Sequence, residues 1–439
     1  MRPHKNIKSF FLPAVPLLSA YSALAVFLIF IFFSCSSPNS VTNHNLNSKY
    51  KPQEKVLRPK YCLYNVTDSL TRLYFSINST DLLYAKNNGD DGYSASVELS
   101  YVVHPIDYPK IVIDSGHVVM SDAGNPGDSK LLAEAVDMDV YGSGKFYLDV
   151  RFRDLRKNTT SYELLYLDHR GKDSRNNFLI SQPQREMPLF KNYIDSSEQF
   201  SIRYYHPEVK RLFVRYYKNK SGPAPPPYAY DRKPNLFFPD STYWMDFTPN
   251  SVFKLPNEGF YVFNTDTNSA NTDGIMIARF SDGFPKITVA KDLLYPLRYL
   301  TTHDDYVAID TAKNTKKAVD AFWLNCSGNE ERAREVIRDY YGRVEIVNEL
   351  FSTNIEGWKT DRGMIYLAFG PPESVYRNAG SESWTYGSTL GPGSLTLVFE
   401  HRDNSFSDEE FVLDRNEDYK VNWITAVDSW RHGQVYNLR

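Results

Sequence analysis

From Tyr61 to about Gln182, apolar and polar residues alternate in short runs: Arg72 to Ile77, Ala95 to Val103, Lys110 to Ile113, Leu131 to Val140, Lys145 to Arg153 and Tyr162 to Asp168. A period of two sends successive side chains to opposite faces, so each run predicts a strand with one buried face. Turn formers separate the runs, as in Asn87-Asn88-Gly89-Asp90-Asp91-Gly92, Gly124-Asn125-Pro126-Gly127 and Tyr141-Gly142-Ser143-Gly144. This regular spacing predicts an immunoglobulin-like β-sandwich over residues 60–184. After the polar joint Gln182 to Glu186, a second β-sandwich is expected over 185–303. Its runs are Gln199 to Tyr205, Arg211 to Tyr217, Ser251 to Leu255, Gly259 to Asn264 and Gly274 to Phe280. Pro223-Ala224-Pro225-Pro226-Pro227 interrupts them with a stiff segment that cannot supply ladder donors, a loop first and a candidate proline-motif docking site second.

Beyond about Thr301 the period lengthens. Ala318, Val319, Phe322 and Trp323 share one helical face, and Ser327-Gly328-Asn329-Glu330 has the spacing of a capping box. A long amphipathic helix is predicted next, with Ala333, Val336, Ile337, Tyr340, Tyr341, Val344, Val347, Leu350 and Phe351 inward and Glu330/Arg334 and Asp339/Arg343 as outward i,i+4 pairs. A strand and a hairpin are expected after it. The fold class is therefore mainly β with a C-terminal α+β domain: tandem immunoglobulin-like β-sandwiches, then helices and a small antiparallel sheet over 304–439. The 32 Tyr and 27 Phe in the chain agree with that class, since both favour pleated, half-buried positions.

The N-terminus changes the picture from fold to address. Arg2, His4, Lys5 and Lys8 precede a nearly uncharged stretch from Phe10 to Phe33, the order of a secretory signal peptide over 1–34. Its roughly 24 residues at about 1.5 Å each are also long enough for an uncleaved span, and a buried helix is a third fate. Basic flanks stay cytoplasmic, so Lys49 onward faces away from the cytoplasm. Cys35 follows the small residue Ser34, where a lipoprotein signal places its acylated thiol, although Phe32-Phe33 depart from the usual Leu-Ser/Ala. Lipidation of Cys35 would make the membrane a partner through the N-terminal lipid. Residues 35–59, rich in Ser, Asn and Lys, are expected to be a flexible tether. With no acidic run after Cys35, the periplasmic leaflet of the outer membrane is favoured over the cell surface.

Loss of three cations with the signal takes the formal charge from −3 to about −6, a balance that does not invite nucleic acid, and no nucleic-acid partner is expected. Cys62 and Cys326 remain, and an exported compartment permits a bridge, but sequence alone leaves bridge and free thiols both open.

The sharpest pattern is Gly357-Trp358-Lys359-Thr360-Asp361-Arg362-Gly363, followed by Met364 to Gly370-Pro371-Pro372 and Trp384-Thr385-Tyr386. It resembles the GWxTD domain of bacterial envelope proteins, with a likeness running from about Asp305 to Arg439. The resemblance implies an envelope lipoprotein and brings no established reaction. Read as chemistry, Gly357 and Gly363 suit positive φ around a tight connection. Trp358 suits pinning that loop on the helix. Thr360 or Asp361 can accept backbone N–H groups, and Arg362 can pair with Glu356 or Glu373. The motif is structural on this reading, with a binding site for a partner or small ligand as its alternative and catalysis as the third.

Enzyme patterns are missing. Gly387-Ser388-Thr389-Leu390-Gly391 has serine in the wrong place for a nucleophile elbow, and no phosphate-binding glycine pattern occurs. His104, His117, His169, His206, His303, His401 and His432 are scattered without metal-ligand spacing. Asp90-Asp91 and Asp266 to Asp273 lack the ligand order of a calcium hand. No catalytic residue, metal or cofactor is assigned. Tyr204, Tyr205, Tyr216, Tyr217, Tyr228 and Tyr230 offer rings for a glycan, with one of each consecutive pair expected in the core. Ser69, Ser241 and Thr311 sit in Asp-[Ser/Thr] triplets resembling O-glycosylation sequons. The expected function is that of a non-catalytic envelope lipoprotein, an interaction or accessory subunit with an outer-membrane or periplasmic protein partner. Glycan or peptidoglycan binding is the alternative, and a hydrolase of unknown type is third.

Overall fold

The computed structural model describes residues 44–51, 56–86, 92–183, 185, 187–218, 221–230, 237–249, 251–267, 273–387, 394–404 and 406–436. Cys35 and the whole N-terminal basic and apolar region lie outside them, as do Asp90, Asp91, Asn268, Asn271 and Ser388 to Gly391. No described helix is long and apolar enough to cross a membrane.

Alternation produces the first pair of sheets. Lys60–Asn65, Leu70–Asn78 and Leu131–Asp139 make one, all antiparallel. Ala85–Lys86, Tyr93–Pro105, Lys145–Asp154 and Thr159–Asp168 make the other, with Asp114–Ala123 paired along Tyr93–Pro105. Val97, Leu99, Val103, Leu148, Val150 and Phe152 from the second sheet share a core with Leu73, Phe75 and Ile77 from the first. Lys110 to Ile113, expected as a strand, is the exposed loop before Asp114. The strand starts at Asp114 because that is where pairing with Val103 begins, and its residues are nowhere fully buried, so backbone bonding rather than an apolar stripe defines it.

The second β set has a five-stranded sheet ordered Tyr193–Ile194, Ile275–Arg279, Gly259–Asn264, Arg211–Tyr217, Ser241–Asp246. A three-stranded sheet of Val252–Phe253, Phe200–Tyr204 and Phe178–Ser181 accompanies it. Phe178–Ser181 pairs with Phe200–Tyr204, so hydrogen bonding carries this set back across the joint at Gln182. Ser241–Asp246 is an edge strand that the apolar pattern did not reveal, because most of its residues are exposed.

Helices follow, and their boundaries depend on single residues. The helix Thr315–Ser327 ends where Gly328 takes φ 76°, a left-handed conformation suited to glycine. Asn329 is then extended, and its side chain accepts the Arg332 N–H at the start of Glu330–Phe351. The expected Ser327/Glu330 capping box is therefore absent: Ser327 closes the preceding helix, and Asn329 caps the next. On the long helix the predicted inward face is observed, and Glu330 pairs with Arg334 at 3.2 Å. Arg343 does not join Asp339 on the outside. It is buried and donates to the carbonyls of Leu367, Ala368 and Tyr436. Burial lowers its pKa to about 10.

Met364 to Phe369, expected as a strand, is instead part of the helix Asp361–Phe369. Every residue of that helix is buried, and a short apolar run buried all round carries no period that separates helix from strand. Thr360 decides, by capping the helix. A four-stranded antiparallel sheet, Ser374–Arg377, Ser381–Tyr386, Leu395–His401 and Phe411–Leu413, packs with these helices in the largest core. That core also holds Leu46 and Tyr50, so the 35–59 segment expected as a tether is part of the fold in its described stretch around them.

Gly328→Ala is expected to cost about 1–2 kcal/mol from the left-handed backbone alone, since open space surrounds the site, and Asn329→Ala about 1 kcal/mol from the lost cap. Urea denaturation followed by circular dichroism measures both, and unchanged midpoints would contradict this account of the helix boundary.

Candidate functional site

Gly357–Lys359 form a single 3-10 turn against the long helix. A Cβ on Gly357 would lie 1.8 Å from the Val347 carbonyl oxygen, and one on Gly363 would lie 1.9 Å from the Gly357 carbonyl oxygen. Neither glycine has a positive φ, which corrects the expectation: both are glycine because backbone approaches backbone. Thr360 ties them together, its hydroxyl donating to the Gly357 carbonyl at 2.8 Å and accepting the Gly363 N–H at 3.0 Å. Trp358 is buried and is held in the turn through its main-chain groups. Its backbone N–H donates to Asn348 Oδ1 at 3.2 Å, its carbonyl accepts the Tyr299 hydroxyl at 3.0 Å, and its ring stands edge-on to Tyr299.

The two charged residues of the motif point inward. Asp361 is 1% exposed and accepts from Arg415 Nη2 at 2.5 Å, Arg415 Nη1 at 3.2 Å and the Leu413 N–H at 3.0 Å. It thereby fastens the start of its helix, where a negative charge is favourable, to the last strand of the sheet. Arg415 also donates to the Pro225 carbonyl, and the Ala224 N–H donates to the Lys359 carbonyl. The proline-rich segment is thus docked within its own chain.

Arg362, 2% exposed, does not pair with Glu356 or Glu373, which lie beside Lys359 and Lys51 respectively. It donates to the Glu409 carbonyl at 2.8 Å and to the Glu409 carboxylate at 3.1 Å, with the Glu382 carboxylate at 3.8 Å. Its guanidinium lies over the Phe411 and Phe351 rings. Arg377, completely buried, forks between Glu382, Glu409 and Glu163. Lys49 completes the group on Glu163 at 2.7 Å. Tyr50 donates to Glu382 Oε1 at 3.0 Å, and Trp384 Nε1 donates to the same oxygen at 2.6 Å. Three cations meet three carboxylates, so the network is neutral as well as hydrogen-bonded. Burial pushes the Glu382 carboxyl up, but Arg377 and Arg362 outweigh it and hold the carboxyl below the usual glutamate range. Against the same opposition from burial, Arg377, Arg362 and Lys49 hold Glu409 far below that range. Glu409 lies at the rim with its side chain 37% exposed, so water screens it and the interior Arg377–Glu382 pair has the greater effect on stability.

Of this network the sequence motif marks Arg362, whereas Arg377, Glu382, Glu409, Glu163 and Tyr50 lie outside it. One signal was present: in Ser381–Tyr386, Glu382 is in phase with Trp384 and Tyr386 on the buried face.

Beside the motif, Ser281, Asp292, Tyr295, Asn348, Glu356 and Trp358 line a cleft of about 30 Å³, room for one or two water molecules. Ser281 donates to Asp292 at 2.8 Å, and burial, with Glu356 nearby, raises the Asp292 pKa. Among the described residues no group of three or more His, Cys, Asp or Glu could hold a metal ion. Cys62 and Cys326 are free thiols. His401 stacks on Tyr166 at 4.1 Å, and His169 bonds Thr71 at 2.8 Å. Of the tyrosines, Tyr204 and Tyr217 are buried, Tyr205, Tyr216 and Tyr228 half-buried, and Tyr230 exposed. Ser69 is half-buried in the turn before Leu70–Asn78. Ser241 is exposed at the start of the edge strand, while Thr311 is exposed at a helix end with its hydroxyl donating to Val307.

With a Gly-Trp turn, a threonine cap and an inward Asp-Arg pair in one place, the comparison with known families falls on this region. Residues 259–432 match the GWxTD domain. The match starts well before Asp305, so the GWxTD domain takes in the strands Gly259–Asn264 and Ile275–Arg279 as well as the helices and the four-stranded sheet. No curated protein matches the chain. Solved structures give faint likenesses. A β-glucuronidase from glycoside hydrolase family 2 has TM-score 0.18 and 8% identity over 27% of this chain and 12% of its own. Red sea bream transglutaminase has TM-score 0.18 and 8% identity over 51% and 31%. The BSP domain of a biofilm-associated protein has TM-score 0.17 and 10% identity over 50% and 51%. The chain spans under a third of the first two, and none of these scores carries an argument.

Two outcomes follow for the GWxTD motif. Gly357→Ala must move the Val347 carbonyl and is expected to destabilise the domain by about 3 kcal/mol or more, read as a large loss of denaturation midpoint; a wild-type midpoint would refute the close approach. Because Glu382 and Glu409 have depressed pKa values, their stabilisation is present above the ordinary glutamate value of about 4.3 and is lost as pH falls below it. Glu382→Gln is expected to lose about 3–5 kcal/mol at pH 7 and to show a shallower fall in Tm between about pH 5 and 3 than wild type. Parallel Tm-against-pH curves would count against the network.

Proposed function

We propose that this protein is a non-catalytic cell-envelope lipoprotein, exported by its N-terminal signal, anchored through lipid on Cys35, and acting as a docking subunit of an outer-membrane complex. The observation that carries the docking role is that the functional groups of Asp361 and Arg362 are spent on internal partners. The GWxTD motif then serves to build a rigid body, and contact with partners falls to surfaces elsewhere.

One such surface lies at an end of the first pair of sheets. Tyr108, Ile111, Val112 and Ile113 are exposed in the loop before Asp114–Ala123, and Tyr141 is exposed just after Leu131–Asp139. The Asp139 N–H donates to Asp114 Oδ2 at 3.0 Å, which brings these two stretches to the same end. A group of exposed apolar side chains at one end of a sheet is the kind of surface that marks an interaction site.

A photo-crosslinking amino acid at Ile111 or Tyr141, activated in native envelopes, is expected to give a discrete adduct with one envelope protein, identified by mass spectrometry, while the same group at the exposed Lys316 gives none. No adduct at either site, or identical adducts at all three, would overturn the docking role. Fatty-acid labelling is expected in wild type and lost in Cys35→Ala; equal labelling would remove the anchor and leave docking untouched.

A further inference from the structure

The segment Asn45–Tyr50 enters the GWxTD domain as a bound peptide would. Ser374–Arg377 is the edge strand of the four-stranded sheet, and Val375 has both of its main-chain groups taken by this segment. The Leu46 N–H donates to the Val375 carbonyl at 2.8 Å, and Asn45 Oδ1 accepts the Val375 N–H at 2.8 Å. Asn47 Nδ2 donates to the Glu373 carbonyl at 2.6 Å. A single 3-10 turn over Asn47–Tyr50 then delivers two apolar anchors, Leu46 at 3% exposure and Tyr50 at 0%. The Tyr50 ring packs against both Phe351 and Trp384, with centroids at 5.6 and 5.2 Å, and those two rings also meet each other at 5.7 Å. Its hydroxyl donates to Glu382 and accepts from Arg377 Nη2 at 3.3 Å, and its carbonyl accepts the Tyr366 hydroxyl at 2.7 Å. Lys49 meets Glu163 on the opposite wall.

An edge-strand hydrogen-bond pair, two side-chain anchors and a charge contact are the ingredients by which domains recognise short peptides. The segment itself is polar apart from its two anchors, so docking depends on them. We propose that this groove, walled by Ser374–Arg377, the long helix and Glu163, is a peptide-binding site of the GWxTD domain, filled in cis by Asn45–Tyr50. Its ligand class is a short segment with leucine and tyrosine four residues apart and a lysine before the tyrosine. Occupancy in cis makes the segment an exchangeable strap: a second copy of the same sequence competes for the groove once the strap leaves. This inference stands apart from the envelope role proposed above, because it concerns only groups inside the described fold.

The test uses the full chain carrying Leu46→Ala and Tyr50→Ala, with a fluorescein-labelled synthetic peptide of the 44–51 sequence as probe and anisotropy as readout. The double variant is expected to bind the peptide saturably, wild type at least about tenfold more weakly because its own strap competes, and a peptide with Tyr50→Phe about tenfold more weakly because Glu382 loses a donor. No saturable binding to a folded double variant, equal binding by wild type, or equal binding of the phenylalanine peptide would each overturn the proposal. Should the double variant fail to fold, hydrogen exchange on wild type decides. The Leu46 amide is expected to exchange at least about tenfold faster than the sheet-interior Leu397 amide, as an opening strap requires; equal protection would show a strap that leaves only with global unfolding and would refute exchangeability.

Discussion

The buried pairing of Arg377 with Glu382 is the constraint around which the C-terminal half is arranged. Two charges with essentially no solvent contact persist only when each is matched and its remaining hydrogen-bonding capacity is met. Matching them recruits Arg362 from the GWxTD motif, Glu409 from the loop before the last strand, Glu163 from the first pair of sheets, and Lys49 and Tyr50 from near the start of the described chain. Aromatic rings close the space between them, with Phe411 under both guanidinium groups and Trp384 donating to the Glu382 carboxylate. Sequence segments more than 300 residues apart are thus held in register by one neutral cluster.

Around that cluster the motif has a mechanical logic. Two glycines let the turn press against the long helix and the turn's own carbonyl meet the next helix. Thr360 closes the turn and starts the helix with the same hydroxyl. Asp361 then draws in Arg415, and through it the proline-rich loop, while Arg362 plugs into the ion cluster. Each residue type is needed for geometry or charge balance inside the protein. That accounts for a sharp signature through the internal contacts of its own residues.

The sequence by itself determined what depends on local periodicity. Alternating runs such as Ala95 to Val103 became strands and the face from Ala333 to Phe351 became a buried helix face, because a side chain's direction along a helix or strand follows from spacing alone. One of each tyrosine pair, Tyr204 and Tyr217, went into the core for the same reason. Tertiary structure decided whatever depends on which partner arrives from far along the chain. Met364 to Phe369 is helical because it is buried on all sides under a threonine cap, and Ser241–Asp246 is a strand because Arg211–Tyr217 offers it a ladder. Arg343 and Arg362 left their expected neighbours because carbonyls and carboxylates gathered by the fold outcompete an exposed pair, which is worth little in water. Sequence could mark Glu382 as a charge in an apolar phase; only the folded chain, by bringing Arg377 and Tyr50 to it, could make that charge tolerable.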